Sequence, residues 1–304
     1  MEAIMNILDV GASIGHLGLP KNQLCNNLKS ALDHEDIISK EINSLLLEGR
    51  IHGPFEELPW PNFRCSPLGT LMHKCNPKRC VFNHYSWPKL GSVNDEMPDI
   101  EGEIHHQSFA SAAAALCESG RGPLLAKLDL KDAYKHIPIC SMDWHLLGFH
   151  WMGKFYYPVV LMFGGKSAPY IFNLFAEALH WIIQCHMLTS LQHYLDDFLP
   201  IFKPSVSMQT SNIAIDWIES LGKELGWLFQ PAKTICPTTS LEFLGLELDS
   251  KALEACLPIE KLAYLRGLLD TWVSHKTCML KELQEIIGFL QFCMQVVPHS
   301  RTFI

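Results

Sequence analysis

The sequence predicts an α+β fold, with helices packed on one face of an antiparallel sheet. Three observations carry that expectation. The middle of the chain reads, in order, strand, hairpin, helix, hairpin, helix, strand. The C-terminal part keeps a helical apolar period and shows no strand alternation. The 304 residues, 48% hydrophobic and 18% charged, suffice for two subdomains with their own cores. No run of eighteen uncharged apolar residues is present, so no membrane span is expected. The first residues, "MEAIMNILDVGASIGHLG", carry no basic segment, and eleven cysteines lack paired spacing. Both point to an intracellular protein with reduced thiols. A net charge of -8 weighs mildly against a nucleic-acid binder, although a local basic channel matters more than the sum.

Residues 1 to 24 read as an irregular lead-in. "LKSALDHEDIISKEINSLLLEGRI" (28–51) has apolar residues at helical spacing, with a break near His34 or Asp36. "HGPFEELPWPNFRCSPLG" (52–69) reads as a Pro/Gly-rich extended connector. "RCVFNHYSWP" (79–88) reads as a strand ending at Pro88, and the alanine-rich 107–118 as a helix. "LLAKLDL" (124–130) is a clear strand. Met152-Gly153 joins "HLLGFHW" and "KFYYPVVLMF" in a hairpin. Residues 167–186 form a helix with Pro169 in the first turn, where proline is tolerated. "LQHYL" and "FLPIF" make a hairpin about Asp196-Asp197. "NIAIDWIESLGKELG" (212–226) is an amphipathic helix stopped by Gly226, "SLEFLGLELD" (240–249) a strand, and two helices follow.

Two adjacent carboxylates inside the apolar run "HYLDDFLP" need an explanation, because like charges repel and burial adds to the cost. Neighbouring strand residues face opposite ways, so Asp196 and Asp197 cooperate only where the backbone turns. Aspartates also favour turns for their own sake, and Asp129 at a strand exit is equally a capping residue. Taken together, a strand-end acid and a hairpin-tip acid pair form the oxygen-rich set that hard divalent ions take. Two such ions about 4 Å apart activate an attacking hydroxyl and stabilise a leaving phosphate oxygen. They would also neutralise the cluster.

"AKLDLKDAYKHIPI" (126–139), "VLMFGGKSAPYIFN" (160–173) and "HYLDDFL" (193–199) resemble three consecutive motifs of a reverse transcriptase palm. "GWLFQPAKT" and "LEFLGLEL" resemble the two that follow, in the right order. "FRCSPLGT", "SWPKLGSVND" and "DWHLLGFHWMGKFYYPVV" further resemble retrotransposons that integrate by a tyrosine recombinase, the DIRS type. The resemblance covers residues 25 to 304. It implies a right-hand polymerase fold of fingers, ferredoxin-like antiparallel palm and helical thumb. The expected division is an N-terminal helical segment over 1–65, fingers and palm over 66–249, and thumb over 250–304. The implied activity is RNA-directed DNA synthesis from an RNA template, a DNA or RNA primer and dNTPs, with two Mg²⁺ ions and Mn²⁺ as a substitute.

The same resemblance assigns roles. Asp129, Asp196 and Asp197, with the carbonyl of Leu130, would hold the metals. Lys131, Asp132 and Ala133 would offer N–H groups to the triphosphate, and Tyr134 would lie under the sugar and exclude a 2′-hydroxyl. Phe163, Gly164 and Lys166 would support the nucleotide, with Lys166 either a phosphate contact or a solvated charge. Lys78 and Arg79 would grip the triphosphate, unless they are surface charges. Lys233 matches a proton donor to pyrophosphate or is a loop lysine. Tyr194, Leu195, Phe243, Leu244 and Gly245 would contact primer and template; the last three equally suit a core.

Some features depart from the family pattern. "LMHK" stands where relatives carry a proline and two lysines, and Met162 stands where a proline is usual. No RNase H or recombinase region is recognised, so the chain is expected to be a fragment or a truncated element ending before the RNase H region, with a longer parent polyprotein as one place for the missing regions. A catalytically impaired fragment that only binds nucleic acid is therefore the rival expectation. An RNA-dependent RNA polymerase shares the palm logic, but Tyr134 and "FGGKSAP" argue against it. His73, Cys75, Cys80 and His84 lie close in sequence as an alternative small zinc site, without knuckle spacing.

Overall fold

The computed structural model describes residues 2–19, 21–73, 76–99, 107–187, 189–274 and 276–297; side chains of residues 73 and 76–78 lie outside that description. The chain forms two compact units. One comprises Met1–Ile104 with Asp132–Glu177, the other His105–Lys131 with Ala178–Ile304. No described helix is long and apolar enough to cross a membrane.

In the first unit the expected helical break falls at Asp33-His34, between the helices Lys29–Leu32 and Glu35–Leu47. The longer helix buries Ile38, Ile42 and Leu45, spaced four and three apart on one face. They pack with Ile51, Leu68, Phe149, Trp151 and Tyr156. The Met152-Gly153 hairpin is present, with both residues at positive φ (47° and 75°) between Phe149–Trp151 and Lys154–Pro158. Positive φ at both central positions matches the twist of the strands it joins.

Three expectations need correction here. The lead-in contains a helix, Glu2–Val10, since Ile4, Ile7 and Leu8 keep helical spacing. The supposed connector contributes the strand Ile51–Phe55, which pairs with Lys154–Pro158, and Leu68–His73 pairs with Asn76–Asn83. That last strand ends at Asn83 instead of running to Pro88. The chain turns there, and Tyr85 is buried where its hydroxyl accepts from the Asn83 amide at 3.0 Å.

The second unit is built on a four-stranded antiparallel sheet. Its order is Ile235–Thr238, Leu124–Asp129, Asp197–Phe202, Ser190–Tyr194. Leu125, Leu199 and Ile201 share one face with Phe109, Ala112 and Leu116 of the helix Phe109–Ser119. Phe198 points to the other face and meets Phe229 edge-on at 6.3 Å; Phe229 in turn presses on Gly222 of the helix Met208–Glu224. Helices therefore cover both faces, not one. The strand "FLPIF" is buried at every residue, which a sheet covered on both sides requires.

The segment 240–249 is also not one strand. It is a hairpin of Ser240–Phe243 and Leu246–Asp249, turned at Leu244-Gly245 with φ of 50° and 81°. Leu241, Phe243, Leu246 and Leu248 join the core of this unit, and Phe292 of the helix Leu280–Cys293 packs against it. The preceding helix, Ile259–Ser274, buries none of its residues.

Candidate active site

Asp129 is the last residue of its strand and Asp197 the first of the next, and the two are direct partners across the ladder. Direct antiparallel partners lie about 5 Å apart. Tyr194 and Asp197 close the neighbouring hairpin, so Leu195 and Asp196 form a two-residue turn. Leu195 takes φ 51°, a conformation that costs a bulky residue on the order of 1–2 kcal/mol. The turn removes Asp196 from strand alternation, so both adjacent acids stay near Asp129. Backbone bonds fix the arrangement. The Leu130 N–H donates to the Asp196 carbonyl at 3.0 Å, and the Gln230 N–H to the Asp129 carbonyl at 2.8 Å.

The cluster is electrostatically strained. Burial lifts the Asp196 pKa to about 6, and the charges of Asp197 and Asp129 push the same way. Burial also raises Asp197, against the opposing pull of Lys127. Two ammonium groups offset the acids. Lys233 Nζ donates to both Asp129 oxygens at 2.9 Å. Burial lowers the Lys233 pKa, but the bond to Asp129 and the surrounding carboxylates outweigh it, so the net shift is upward. Lys127 Nζ lies 3.2 Å from Asp197 Oδ1. Lys127 is not among the residues the sequence singles out, because one lysine in "LLAKLDL" has an ordinary solvated explanation.

A cavity of about 400 Å³ opens beside these groups, lined by Lys127, Asp197, Lys233, Leu244 and Gly245. Phe243 is fully buried and belongs to the core. Tyr194 is half-buried against the same core. Among the described residues no three His, Cys, Asp or Glu side chains form a ready-made metal cage. The acids instead fit an open site for a hard ion, because Mg²⁺ keeps waters and substrate phosphates beside one or two carboxylates. Asp129 and Asp197 each pair with an ammonium group.

The other expected residues are placed as follows. The Lys131 N–H donates to the Leu228 carbonyl at 2.7 Å, which removes it from the donors expected for a triphosphate. Asp132 takes φ 54°, and its carboxylate pairs with Arg50 at 3.1 Å; the 3₁₀ turn Ala133–His136 follows. Tyr134 is 9% exposed. It is held between Phe163, edge-on at 4.7 Å, and Phe172 at 5.2 Å. Gly164 has φ 104°, and a Cβ there would stand 2.5 Å from the Asn83 carbonyl oxygen, so only glycine fits. Lys166 is exposed, and its Nζ meets the Met97 carbonyl at 3.1 Å and the exposed Asp99 carboxylate at 2.6 Å. Arg79, Asp132, Lys135 and Phe163 line a cavity of about 250 Å³. The Lys78 side chain lies outside the described residues, as do Cys75 and the His73 side chain of the alternative zinc set.

A family model described as "Reverse transcriptase (RNA-dependent DNA polymerase)" matches residues 74–248. A Pro-Pol polyprotein of Feline foamy virus is 22% identical over 292 residues, covering 92% of this chain and 21% of the relative. That of Simian foamy virus type 1 is 25% identical over 212 residues, covering 68% and 16%. The chain thus spans about a fifth of the length of these curated relatives. Among solved structures, the foamy viral protease-reverse transcriptase in complex with RNA/DNA hybrid matches with TM-score 0.68 and 18% identity, over 91% of this chain and 33% of that one. The same viral protein in complex with dsDNA matches with TM-score 0.67 over 91% and 51%. Likeness at that identity establishes the fold.

Proposed function

Because the chain belongs to the reverse transcriptase family, we propose that it is an RNA-directed DNA polymerase that joins dNTPs to a primer 3′-hydroxyl on an RNA template. The observation that carries this is the pairing of Asp129 with Asp197 across the ladder, with Asp196 in the turn between the strands. A single hairpin and one strand end thus bring three acids together. Asp129, Asp196 and Asp197 would hold two Mg²⁺ ions, with the Leu130 carbonyl beside them. When bound, the ions would activate the primer hydroxyl and offset charge on the leaving oxygen.

The chain's own residues supply the rest. The Lys233 ammonium stands at the acids and would be a proton source for a departing pyrophosphate once a cation has displaced it from Asp129. Leu244 and Gly245 line the cavity beside Asp197, where a primer end would lie. Tyr134 is held rigid by two rings, as a group that rejects a 2′-hydroxyl must be. The foamy viral relative's complexes with hybrid and with dsDNA support a duplex partner. The narrower DIRS-type lineage is supported by the motifs flanking the palm.

Primer extension on an RNA template with Mg²⁺ tests this. The parent chain should incorporate dNTPs, and Asp129→Asn, Asp196→Asn and Asp197→Asn should each lose more than about a hundredfold while staying folded. An Asp196→Asn variant that extends at the parent rate would remove the site assignment. The rival, a binder without catalysis, draws on Met162, the "LMHK" segment and the engaged Lys131 N–H. It predicts hybrid binding with no extension by the parent.

A further inference from the structure

We propose that Lys127 is a positioning residue of this site. Its ammonium is the resident counter-ion of Asp197, orienting that carboxylate within the set of three acids that would take the exchangeable cations. The inference rests on the polymerase function above and concerns a lysine outside the motif aspartates.

Strand geometry puts Lys127 where the role needs it. It lies two residues before Asp129, so both side chains leave the same face of the strand. Asp197 is the cross-strand partner of Asp129, and Lys127 is therefore its diagonal neighbour. The ammonium is 3.2 Å from Asp197 Oδ1, with the two side chains 19% and 21% exposed. A lysine on a sheet usually extends its stem toward water. This one ends on a carboxylate, at the wall of the 400 Å³ cavity.

The second lysine behaves differently. Lys233 straddles both oxygens of Asp129, yet its side chain is 62% exposed. Any cation that takes Asp129 must displace it, and it has open water to move into. The Lys127 side chain, at the cavity wall, is only 19% exposed. Two ammonium groups thus divide the work. Lys233 yields its place, whereas Lys127 remains as a fixed positive charge beside the third acid. A fixed charge at that range weakens the attraction of the site for divalent ions and limits how many it takes.

The test uses the full chain and Mn²⁺ alone, titrated calorimetrically without nucleotide or nucleic acid. Lys127→Met should bind Mn²⁺ about tenfold more tightly than the parent, or take up an additional ion. Lys127→Arg, which keeps the charge, should bind like the parent. In single-nucleotide insertion, Lys127→Met should lower kcat about tenfold with the dNTP KM within about twofold, and Lys127→Arg should restore most of it. Unchanged or weaker Mn²⁺ binding by Lys127→Met would overturn the assignment, as would an unchanged kcat. Lys127→Gln replaces the Met variant if that one does not fold. Failure of both to fold would also overturn it, because the lysine would then serve the fold alone. If the parent does not extend primers, the polymerase function falls, and the calorimetric arm still decides Lys127.

Discussion

Asp196 carries a carboxyl whose pKa burial lifts to about 6 from an ordinary 3.8. The folded, metal-free protein therefore binds a proton that the unfolded chain releases, and stability from this group falls as pH rises from about 4 through about 6. Above that window the penalty is complete. Asp196→Asn should remove it, raising metal-free stability at pH 7.5 by on the order of 2 kcal/mol after allowance for partial hydration. Thermal melts in EDTA from pH 4 to 8 check this; the variant should show a shallower decline across that range than the parent, keeping the part due to Asp197, and Mg²⁺ should stabilise the parent more. Tyr134 is the other residue with a sharp consequence. Tyr134→Val should keep dNTP insertion measurable and shift the dNTP/rNTP ratio at least tenfold toward rNTP, about 1.4 kcal/mol. Since the ring fills space between Phe163 and Phe172, the variant should also lose roughly 2–4 kcal/mol of stability. An unchanged ratio in insertion kinetics would leave Tyr134 as a packing residue. The acids were legible because carboxylates in apolar runs are costly without a purpose. Lys127 was not, because a single lysine in a strand has an ordinary solvated explanation.

Hairpins set the geometry, and the two that matter differ in how visibly they announce themselves. The one at Asp196 is marked by polar residues between apolar runs. The one at Leu244-Gly245 is masked, because Leu244 fills the gap between two alternating series. The signal was a change of phase. Buried positions run Leu241, Phe243, then Leu246, Leu248, and the step of three between Phe243 and Leu246 is what a two-residue turn produces. Gly245 is the residue this turn depends on. Its φ is 81°, and an added Cβ would stand 2.8 Å from Lys261 Nζ and 3.2 Å from the Phe292 ring. Gly245→Ala should cost roughly 1–2 kcal/mol, read as a lower urea midpoint at an unchanged slope. Gly226→Ala, also at positive φ but with nothing near its Cβ, should cost less and serves as the control. The sheet's second helical layer is written in one strand, since "FLPIF" is apolar at every position and not at alternate ones.

The whole molecule is acidic, with a net charge of -8, yet its proposed partner is a polyanion. Binding must then depend on a local set of lysines and arginines. Hybrid affinity should fall steeply between about 50 and 200 mM salt. A dissociation constant indifferent to salt, measured by fluorescence anisotropy, would count against a duplex partner. At this scale the family was legible from five motifs in order, because their spacing records a fixed sequence of strand, helix and hairpin. The division into compact units was not. The segments 1–65, 66–249 and 250–304 follow chain order, whereas each compact unit joins stretches far apart in sequence. That interleaving bears on how the protein can be rebuilt from parts. The unit boundary between Lys131 and Asp132 falls inside "LDLKDAY". To exchange either unit for that of a relative, a chimera needs junctions at 104, 131 and 177, and the middle one cuts through the motif itself. A graft made at one site therefore carries pieces of both units.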